Sequence, residues 1–273
     1  MIKKILNIQT KTINSAALVL GAASFVSAVL GLFKNRLLAG VFGAGNELDI
    51  YYASFRIPDF ITMVLIMGAI SAAIIPVFSE YLVRSKEDAW KFFSNLLNLF
   101  LFFLIFISII LFIFTPQLIS LIAPGFGPEK KALTIVLTRI MFFSPILLGI
   151  SNIISGTLRV FQRFLVTSLS PILYNAGIIF GLLFFVPLMG LKGLAWGVVL
   201  GGFLHLLIQI PILIKLGFRS KLIFNIKEPG FLKVVKLTIP RSIGLAASQI
   251  NLIVVTAIAS CMVAGSIAIF NLA

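Results

Sequence analysis

Acidic residues, cysteine and histidine are all scarce in this chain of 273 residues. Eight acids oppose 22 lysines and arginines, and the chain has a single cysteine, Cys261, and a single histidine, His205. One cysteine excludes an intramolecular disulfide framework and a CxxC metal site. No HExxH, GxSxG or P-loop sequence occurs, and no loop holds a carboxylate cluster, so the sequence favours a protein that is not an enzyme.

Long apolar runs are what the chain has in abundance. Hydrophobic residues make up 60% of it and charged residues 11%, whereas soluble domains carry about a quarter charged residues. Runs of about 18 or more apolar residues are typical of membrane-spanning helices. The run "FFSNLLNLFLFFLIFISIILFIF" is continuous rather than alternating, which indicates a helix. We therefore predict an all-α, polytopic membrane protein.

The apolar runs divide the chain into successive spans. We place them at residues 12–41, 47–83, 92–114, 132–157, 164–187, 192–214 and 231–262, with an eighth helix that starts near Ser266. The second span is expected to bend near Pro58, Gly68 or Pro76. The chain stops inside an apolar run, which predicts a piece of a longer protein. The first apolar run is long for a cleaved signal peptide, so we interpret it as a retained helix.

The basic residues between the spans predict the orientation. With a cytoplasmic N-terminus, fourteen lysines and arginines fall on the cytoplasmic side and three on the other, Lys130, Lys131 and Lys192. This bias follows the positive-inside rule. The net charge of +14 therefore indicates membrane topology rather than nucleic-acid binding.

Three predicted helices carry polar residues at helical spacing, which places those residues on one face of each helix. These stripes are Ser24, Ser27, Gly31 and Lys34; Asp49, Tyr52, Arg56 and Asp59; and Arg241, Gly244, Ser248 and Asn251, flanked by Gln249. Charges within spans usually face a cavity or a partner, because exposing them to lipid is costly. Together with Arg36, the stripes predict a wet cavity, lined by Lys34, Arg36, Asp49, Arg56, Asp59, Arg241, Gln249 and Asn251.

Several of these residues also have a purely structural interpretation. Small residues on the stripes allow close helix packing. We expect Asn46 to cap a helix and Asp49 to be an acid at its third position, where the helix dipole favours negative charge. Arg56 and Asp59 lie three residues apart and are able to neutralise each other. For His205, which has no metal-ligand partners nearby in sequence, we expect a hydrogen-bonded structural role.

The same residues carry a resemblance to a known family. The stretch "SAVLGLFKNRLLAGVFGAGNELDIYYASFRIPDF", and then "APGF", "QRFLVTSLSPILYNAGIIFG" and "SQINLIVVTAIAS", are similar to the MurJ (MviN) family of bacterial lipid II flippases. The resemblance covers nearly the whole chain. It implies the MATE-like fold of the MOP exporter superfamily, in which two six-helix lobes surround a central cavity. Residues 1–216 would form the first lobe, 217–230 a basic cytoplasmic loop, and 231–273 the start of the second lobe.

The resemblance also implies a function. Such a protein moves the head group of lipid II, a polyprenyl-diphosphate-linked peptidoglycan precursor, from the cytoplasmic to the outer leaflet by alternating access, for cell-wall synthesis. It would be a monomer in the bacterial inner membrane that contacts membrane lipids, binds no nucleic acid and needs no cofactor. Coupling to a monovalent cation or to the membrane potential stays open. The alternatives are another polyprenyl-linked cargo, of the O-antigen or capsule type, and a scaffold that does not transport.

Carried over residue by residue, the resemblance is uneven. Lys34 stands where the family usually has a cavity arginine, and Asp49 matches a family aspartate. Ala28 replaces another family arginine, and the family's charged "RR…EG" pattern on the second helix is replaced by Thr62, Met63, Met67 and Gly68. The family's acid–arginine pair on the eighth helix would follow Ala273. Our hypothesis is that Arg36, Arg56 and Arg241 compensate for the missing charges.

Overall fold

The structure, a computed structural model, describes residues 13–67 and 73–273, and all regular structure in those residues is helical. The helices are α1 (Ile13–Phe42), α2 (Asn46–Ile61), α3 (Ile75–Arg84), α4 (Lys86–Ile113), α5 (Thr115–Ile122), α6 (Pro128–Met141), α7 (Phe143–Val160), α8 (Phe164–Phe180), α9 (Val186–Met189), α10 (Leu191–Leu207), α11 (Ile210–Lys215), α12 (Pro229–Ser260) and α13 (Ser266–Leu272). Two π-helical segments, Thr62–Met67 and Gly181–Phe185, continue α2 and α8. The predicted all-α class is confirmed.

Six helical stretches in the described residues are long and apolar enough to cross a membrane. They are Ala17–Phe42, Lys86–Ile113, Pro128–Val160, Phe164–Met189, Leu191–Lys215 and Pro229–Ser260. Each corresponds to a predicted span and differs from it by a few residues at the ends. The lysines at positions 3, 4 and 11, which contributed to the predicted orientation, lie outside the described residues.

The second predicted span is not one uninterrupted α-helix. It consists of α2, the π-helical segment and α3, and the proposed bend at Gly68 lies outside the described residues. Pro58 has no N–H, so the carbonyl of Ser54, four residues earlier, loses its usual helical partner. The hydroxyl of Thr138 on α6, which donates to the carbonyl of Thr134 on its own helix at 2.8 Å, also reaches this carbonyl at 3.3 Å. A polar contact from a neighbouring helix thus stabilises the proline inside α2, as helices in lipid require.

Other boundaries differ for local reasons. The third span starts at Lys86 rather than at residue 92, because the Ser85 side chain accepts hydrogen bonds from the backbone N–H groups of Glu87 and Asp88. The fourth span is interrupted at Phe142, and the sixth between α10 and α11. Helix α5, with Pro116 in its first turn, was not predicted.

Different contacts hold the two ends of the bundle together. One end, called here the basic end, contains the ends of α3, α7 and α11 and the starts of α4 and α12. An aromatic cluster fixes it: Trp90 stacks on Phe161 with ring centroids 5.5 Å apart, and Phe93 meets Phe218 edge-on at 4.9 Å. At the opposite end, the turn that joins α1 to α2 touches the turn between α12 and α13, since Gly265 abuts the carbonyl of Ala44.

Glycines allow α8 and α10 to pack with their backbones in contact. A Cβ added to Gly177, Gly181, Gly197 or Gly201 would come within 3.0 Å of backbone atoms of the other helix. The residues lie four apart on each helix and therefore face the partner in successive turns. Small residues at such spacing are the usual means of close helix association in membranes. This interface forms a rigid support at one side of the bundle.

The glycine contact predicts different effects for two adjacent substitutions on α10. Gly201→Ala should lower the free energy of unfolding by about 1–3 kcal/mol, because the new methyl group overlaps the backbone of Tyr174. Gly202→Ala is the matched control, since its Cβ would make an ordinary contact at 3.5 Å with Leu147. The measurement is the apparent melting temperature in detergent. Equal temperatures for the two variants would contradict the packing described.

Candidate functional site

A small cavity lies between α1, α2 and α13. Its volume is about 190 Å³. It is lined by Lys34, Leu38, Tyr51, Tyr52, Phe55, Arg56, Asp59 and Asn271. Two cations and one anion line it, which gives a formal charge of +1, and two tyrosines and an asparagine add further polar groups. Of the eight residues predicted for a cavity, the structure brings together Lys34, Arg56 and Asp59.

Arg56 connects three helices. Its Nε donates to Oγ1 of Thr256 on α12 at 2.7 Å, and its Nη2 donates to Oδ1 of Asn271 on α13 at 2.8 Å. Asn271 uses its Nδ2 to donate to the carbonyl of Ile267, which leaves Oδ1 turned towards the guanidinium. Arg56 is buried, and these neutral partners satisfy part of its hydrogen-bonding capacity.

Asp59 and Lys34 are the charged residues of the cavity without direct partners. Both are half-buried, and within the described residues no ion pair joins Asp59 to Arg56 or to Lys34. The two cations are still near enough to act electrostatically on the carboxylate. The alternative in which Arg56 and Asp59 form a self-neutralising contact therefore does not describe this conformation. Lys34 remains available to a ligand.

Tyr52 adds an uncommitted hydroxyl to the same cavity. Its Oη is buried and has no hydrogen-bond partner among the described residues. Its ring packs edge-on against Tyr51, with centroids 5.3 Å apart, and Tyr51 packs in the same way against Phe55 at 4.9 Å. Buried hydroxyls nearly always have a partner, so an unsatisfied one on a residue that lines the cavity is unusual.

Asp49 has a different location and a clear structural contact. Its carboxylate accepts hydrogen bonds from the backbone N–H groups of Gly265 at 2.7 Å and Ala268 at 2.8 Å. It thus caps the start of α13, where the helix dipole favours a negative charge. The expectation that Asn46 caps α2 is wrong, since the cap position is Gly45 and no side chain bonds there. Asp49 does not line the cavity.

A second contact at the same end involves the "APGF" stretch. The backbone N–H of Gly125 donates to Oγ of Ser260 at 3.1 Å, at the end of α12. A Cβ at Gly125 would come within 3.0 Å of the backbone of Ser260 and Cys261, so only glycine permits this approach. Arg56, Asp49 and Gly125 together attach α12 and α13 to the preceding helices.

The other predicted cavity residues are not gathered at this cavity. Arg36 is exposed on α1, and Arg241 and Asn251 are exposed on α12, with Gln249 half-exposed. Arg241 precedes Thr256 by fifteen residues, which is about 22 Å along the helix. The predicted convergence of Lys34, Arg56 and Arg241 is therefore wrong for this conformation. Helical spacing predicts which face of a helix a residue lies on. It does not predict how far two neighbouring helices are offset along their axes, and this offset decides which residues lie at the same depth.

Sequence reasoning missed two residues that hold Arg56. Thr256 follows Gln249 by seven residues and so extends the polar face of α12, a signal that was present in the sequence. Asn271 interrupts the last apolar run and had no second polar residue to support it. On α1, Ser27 of the predicted stripe faces α8 instead, where Asn175 Nδ2 donates to its hydroxyl at 3.4 Å.

His205 has the structural role that was expected. Its Nδ1 and the hydroxyl of Ser151 are 2.6 Å apart, and both residues are buried. Gln209 donates from Nε2 to Ser151 at 2.7 Å and to Ser170 at 3.0 Å, and accepts from Ser155 at 3.0 Å. This network joins α7, α8 and the junction of α10 with α11. Within the described residues no group of histidine, cysteine and acidic side chains has the arrangement of a metal site.

Six of the described helical stretches are long and apolar enough to cross a membrane, and charged residues line a small cavity between helices. These features are typical of a multi-pass membrane protein of the transporter class. The family follows from comparison with known proteins. A family model described as "Lipid II flippase MurJ" matches residues 38–273. The chain therefore belongs to the MurJ family of lipid II flippases.

Individual relatives agree with this assignment. The chain is 35% identical over 249 residues to a "Probable lipid II flippase MurJ" of Buchnera aphidicola subsp. Acyrthosiphon pisum, covering 89% of this chain and 49% of that protein. It is 28% identical over 267 residues to "Lipid II flippase MurJ" of Burkholderia cenocepacia, covering 94% of this chain and 52% of that one.

A solved structure extends the agreement to the fold. The structure titled "Lipid II flippase MurJ, inward closed conformation" superposes with a TM-score of 0.79 at 30% sequence identity. The match covers 93% of this chain and 53% of that one. The MATE-like fold of the MOP superfamily, implied by the sequence resemblance, is thereby confirmed. The chain spans about half the length of the curated relatives that it matches.

The Asp49 contact predicts a local change in hydrogen exchange. Asp49→Ala should accelerate exchange of the Gly265 and Ala268 amides about tenfold or more, because a hydrogen bond to a charged group contributes roughly 1.5–3 kcal/mol. Exchange is read by mass spectrometry on peptides covering residues 262–273. Glu47→Ala is the matched control, because Glu47 is an exposed acid in the same turn of α2. Unchanged exchange in Asp49→Ala would show that the carboxylate does not cap α13.

Proposed function

We propose that the protein to which this chain belongs transfers lipid II from the cytoplasmic to the outer leaflet of the bacterial inner membrane, for peptidoglycan synthesis. Membership of the MurJ family supports the cargo, and the cavity of Lys34, Arg56 and Tyr52 supports the mechanism. The basic end faces the cytoplasm, which agrees with the positive-inside rule. Alternating access carries the head group across while the lipid tail stays in the membrane.

The observation that carries the proposal is the unpartnered Lys34 beside Arg56 and the Tyr52 hydroxyl. The diphosphate of lipid II is an anion rich in acceptor oxygens. A guanidinium binds such oxygens through paired N–H groups, an ammonium acts as a compact charge, and a hydroxyl adds one donor. The cavity is smaller than the roughly 300–1,000 Å³ of ordinary ligand pockets. It therefore suits the diphosphate, and the sugars and peptide would need space elsewhere.

Arg56 provides a link between binding and conformation. In the present conformation its guanidinium is held by Thr256 and Asn271. A diphosphate in the cavity competes for the same N–H groups, and charge-assisted hydrogen bonds are roughly twice as strong as neutral ones. Binding would thus weaken the attachment of α12 and α13 to α2. The substrate itself would favour the rearrangement that alternating access requires.

In this scheme the membrane potential alone is enough to drive the head group from the cytoplasmic to the outer leaflet. Moving one elementary charge across 100 mV corresponds to about 2.3 kcal/mol. An interior-negative potential favours outward movement of the anionic diphosphate, so two negative charges gain roughly 4–5 kcal/mol. Coupling to a monovalent cation is the competing scheme.

Two substitutions in the cavity test the transport role without removing a structural contact. Lys34→Ala should reduce lipid II translocation in reconstituted vesicles about tenfold or more, and Tyr52→Phe should reduce it several-fold. Neither side chain group has a partner in the described residues, so melting temperatures should stay unchanged. Lys131→Ala, which removes a lysine outside the cavity, is the control. Wild-type translocation by both cavity variants would contradict the proposed role.

Complementation tests the cargo. The full-length gene, expressed in a bacterium depleted of its own lipid II flippase, should restore growth. Good membrane expression without growth would reject lipid II and direct attention to another polyprenyl-diphosphate-linked oligosaccharide.

A further inference from the structure

An apolar groove runs along the first half of α12, from Phe231 to Ala246, several turns before the turn that carries Thr256. Its volume is about 620 Å³, within the range of ordinary ligand pockets. Its walls come from α4, the π-helical segment after α2, and α12, and include Phe100, Phe103, Ile107, Phe231, Val235 and Ile239. From Phe231 to Ala246 it follows α12 for about 22 Å, which exceeds half the thickness of a bilayer's hydrocarbon core.

The groove offers no free side-chain donor to a polar ligand. Its polar lining residues are Thr238 and Ser242, and the hydroxyls of both are already used. Thr238 donates to the carbonyl of Val234 at 2.7 Å, and Ser242 donates to the carbonyl of Val64 at 2.6 Å. A hydrocarbon chain is the ligand that such walls accept.

A fixed strap lies at the mouth of the groove. Residues 219–227, between α11 and α12, are non-helical. Their backbone is held by two asparagines of α4: Asn95 donates to the carbonyl of Asn225 at 2.9 Å, and Asn98 donates to that of Lys221 at 2.8 Å. The strap is therefore a positioned element.

The strap presents alternate apolar side chains outwards. Leu222 is 88% exposed, Phe224 60% and Ile226 57%, and Ile226 also lines the groove. Lys221 and Lys227 flank these exposed apolar side chains, and long basic side chains beside apolar ones are favoured at membrane interfaces.

Two lysines that form no ion pair within the described residues lie beside groove residues in the sequence at this end. Lys236 stands on the same stripe of α12 as Leu232, Ile239 and Ile243, at helical spacings of three, four and seven residues. Lys227 follows Ile226 directly. Both lysines are exposed and, within the described residues, neither forms an ion pair, whereas Lys233 is paired with Glu80 at 2.6 Å. The groove thus has apolar walls, and two exposed lysines adjoin its lining residues in the sequence at the start of α12.

We propose that this groove binds one anionic phospholipid of the leaflet at the basic end, with an acyl chain along α12 and its headgroup phosphate at Lys227 and Lys236. The charge complementarity at the mouth selects an anionic over a zwitterionic lipid, since basic residues at a membrane surface attract anionic headgroups. The site is separate from the charged cavity and does not rest on the proposed cargo. A bound lipid would hold the strap, α4 and α12 together at the basic end.

Native mass spectrometry of the delipidated full-length protein tests the site. The probes are phosphatidylglycerol and phosphatidylcholine with identical oleoyl chains. We expect one phosphatidylglycerol to bind at least about tenfold more tightly than phosphatidylcholine. Lys227→Gln with Lys236→Gln should abolish this preference, whereas the control pair Lys131→Gln with Lys192→Gln, on the opposite side of the membrane, should keep it.

A groove-filling variant tests the acyl-chain position independently of charge. Ile239→Trp should weaken phosphatidylglycerol binding about tenfold, because the indole occupies the groove. Ile250→Trp is the control: Ile250 is on the same helix and 52% exposed, against 54% for Ile239, but it does not line the groove. Because all substituted side chains are exposed or half-exposed, the melting temperatures should remain unchanged.

Three outcomes would overturn the proposal. These are equal affinity for both phospholipids, wild-type binding by both the glutamine pair and Ile239→Trp, and preferential binding of a polyprenyl phosphate over phosphatidylglycerol. Lipid II translocation is measured separately, so failure here would leave the proposed function untouched.

Discussion

A charge among apolar helices needs a partner, and Arg56 finds its partners outside its own helix. Thr256 and Asn271, which accept its hydrogen bonds, follow it by 200 and 215 residues. Asp49 makes a comparable connection with the amides that begin α13. The few polar residues that are costly in lipid therefore hold α12 and α13 against the earlier helices. Lys34 and the Tyr52 hydroxyl have no direct partner in the part of the chain that the structure describes, and both residues line the cavity.

Much of the fold could be predicted from the sequence, because apolar length alone identifies a helix that must cross a membrane. The interruptions within spans were harder to place. They depend on contacts made after folding, such as the Thr138 hydroxyl that satisfies the carbonyl freed by Pro58, or the Ser85 cap that moves the start of α4. The approach of α8 to α10 likewise becomes clear only when Gly177 and Gly201 are seen to face each other.

The site could be predicted only in part. Helical spacing placed Arg56 and Asp59 on one face of α2, and the structure puts both at the cavity with Lys34. Arg241 has the same kind of spacing on α12 but stands several turns away from Thr256. A stripe gives the angular position of a residue, whereas a cavity also requires equal depth, which depends on how the helices are offset. Asn271 reached the cavity without any sequence signal of its own.

The central claim, that the cavity between α1, α2 and α13 receives the diphosphate of the cargo, is open to one direct measurement. A photoreactive benzoylphenylalanine replaces Phe55, which lines the cavity, in the full-length protein in membranes. The account predicts a crosslink to lipid II that excess unlabelled lipid II suppresses, and no such crosslink from Ile250 on α12. Absence of a competable crosslink at Phe55, with lipid II translocation intact, would contradict it.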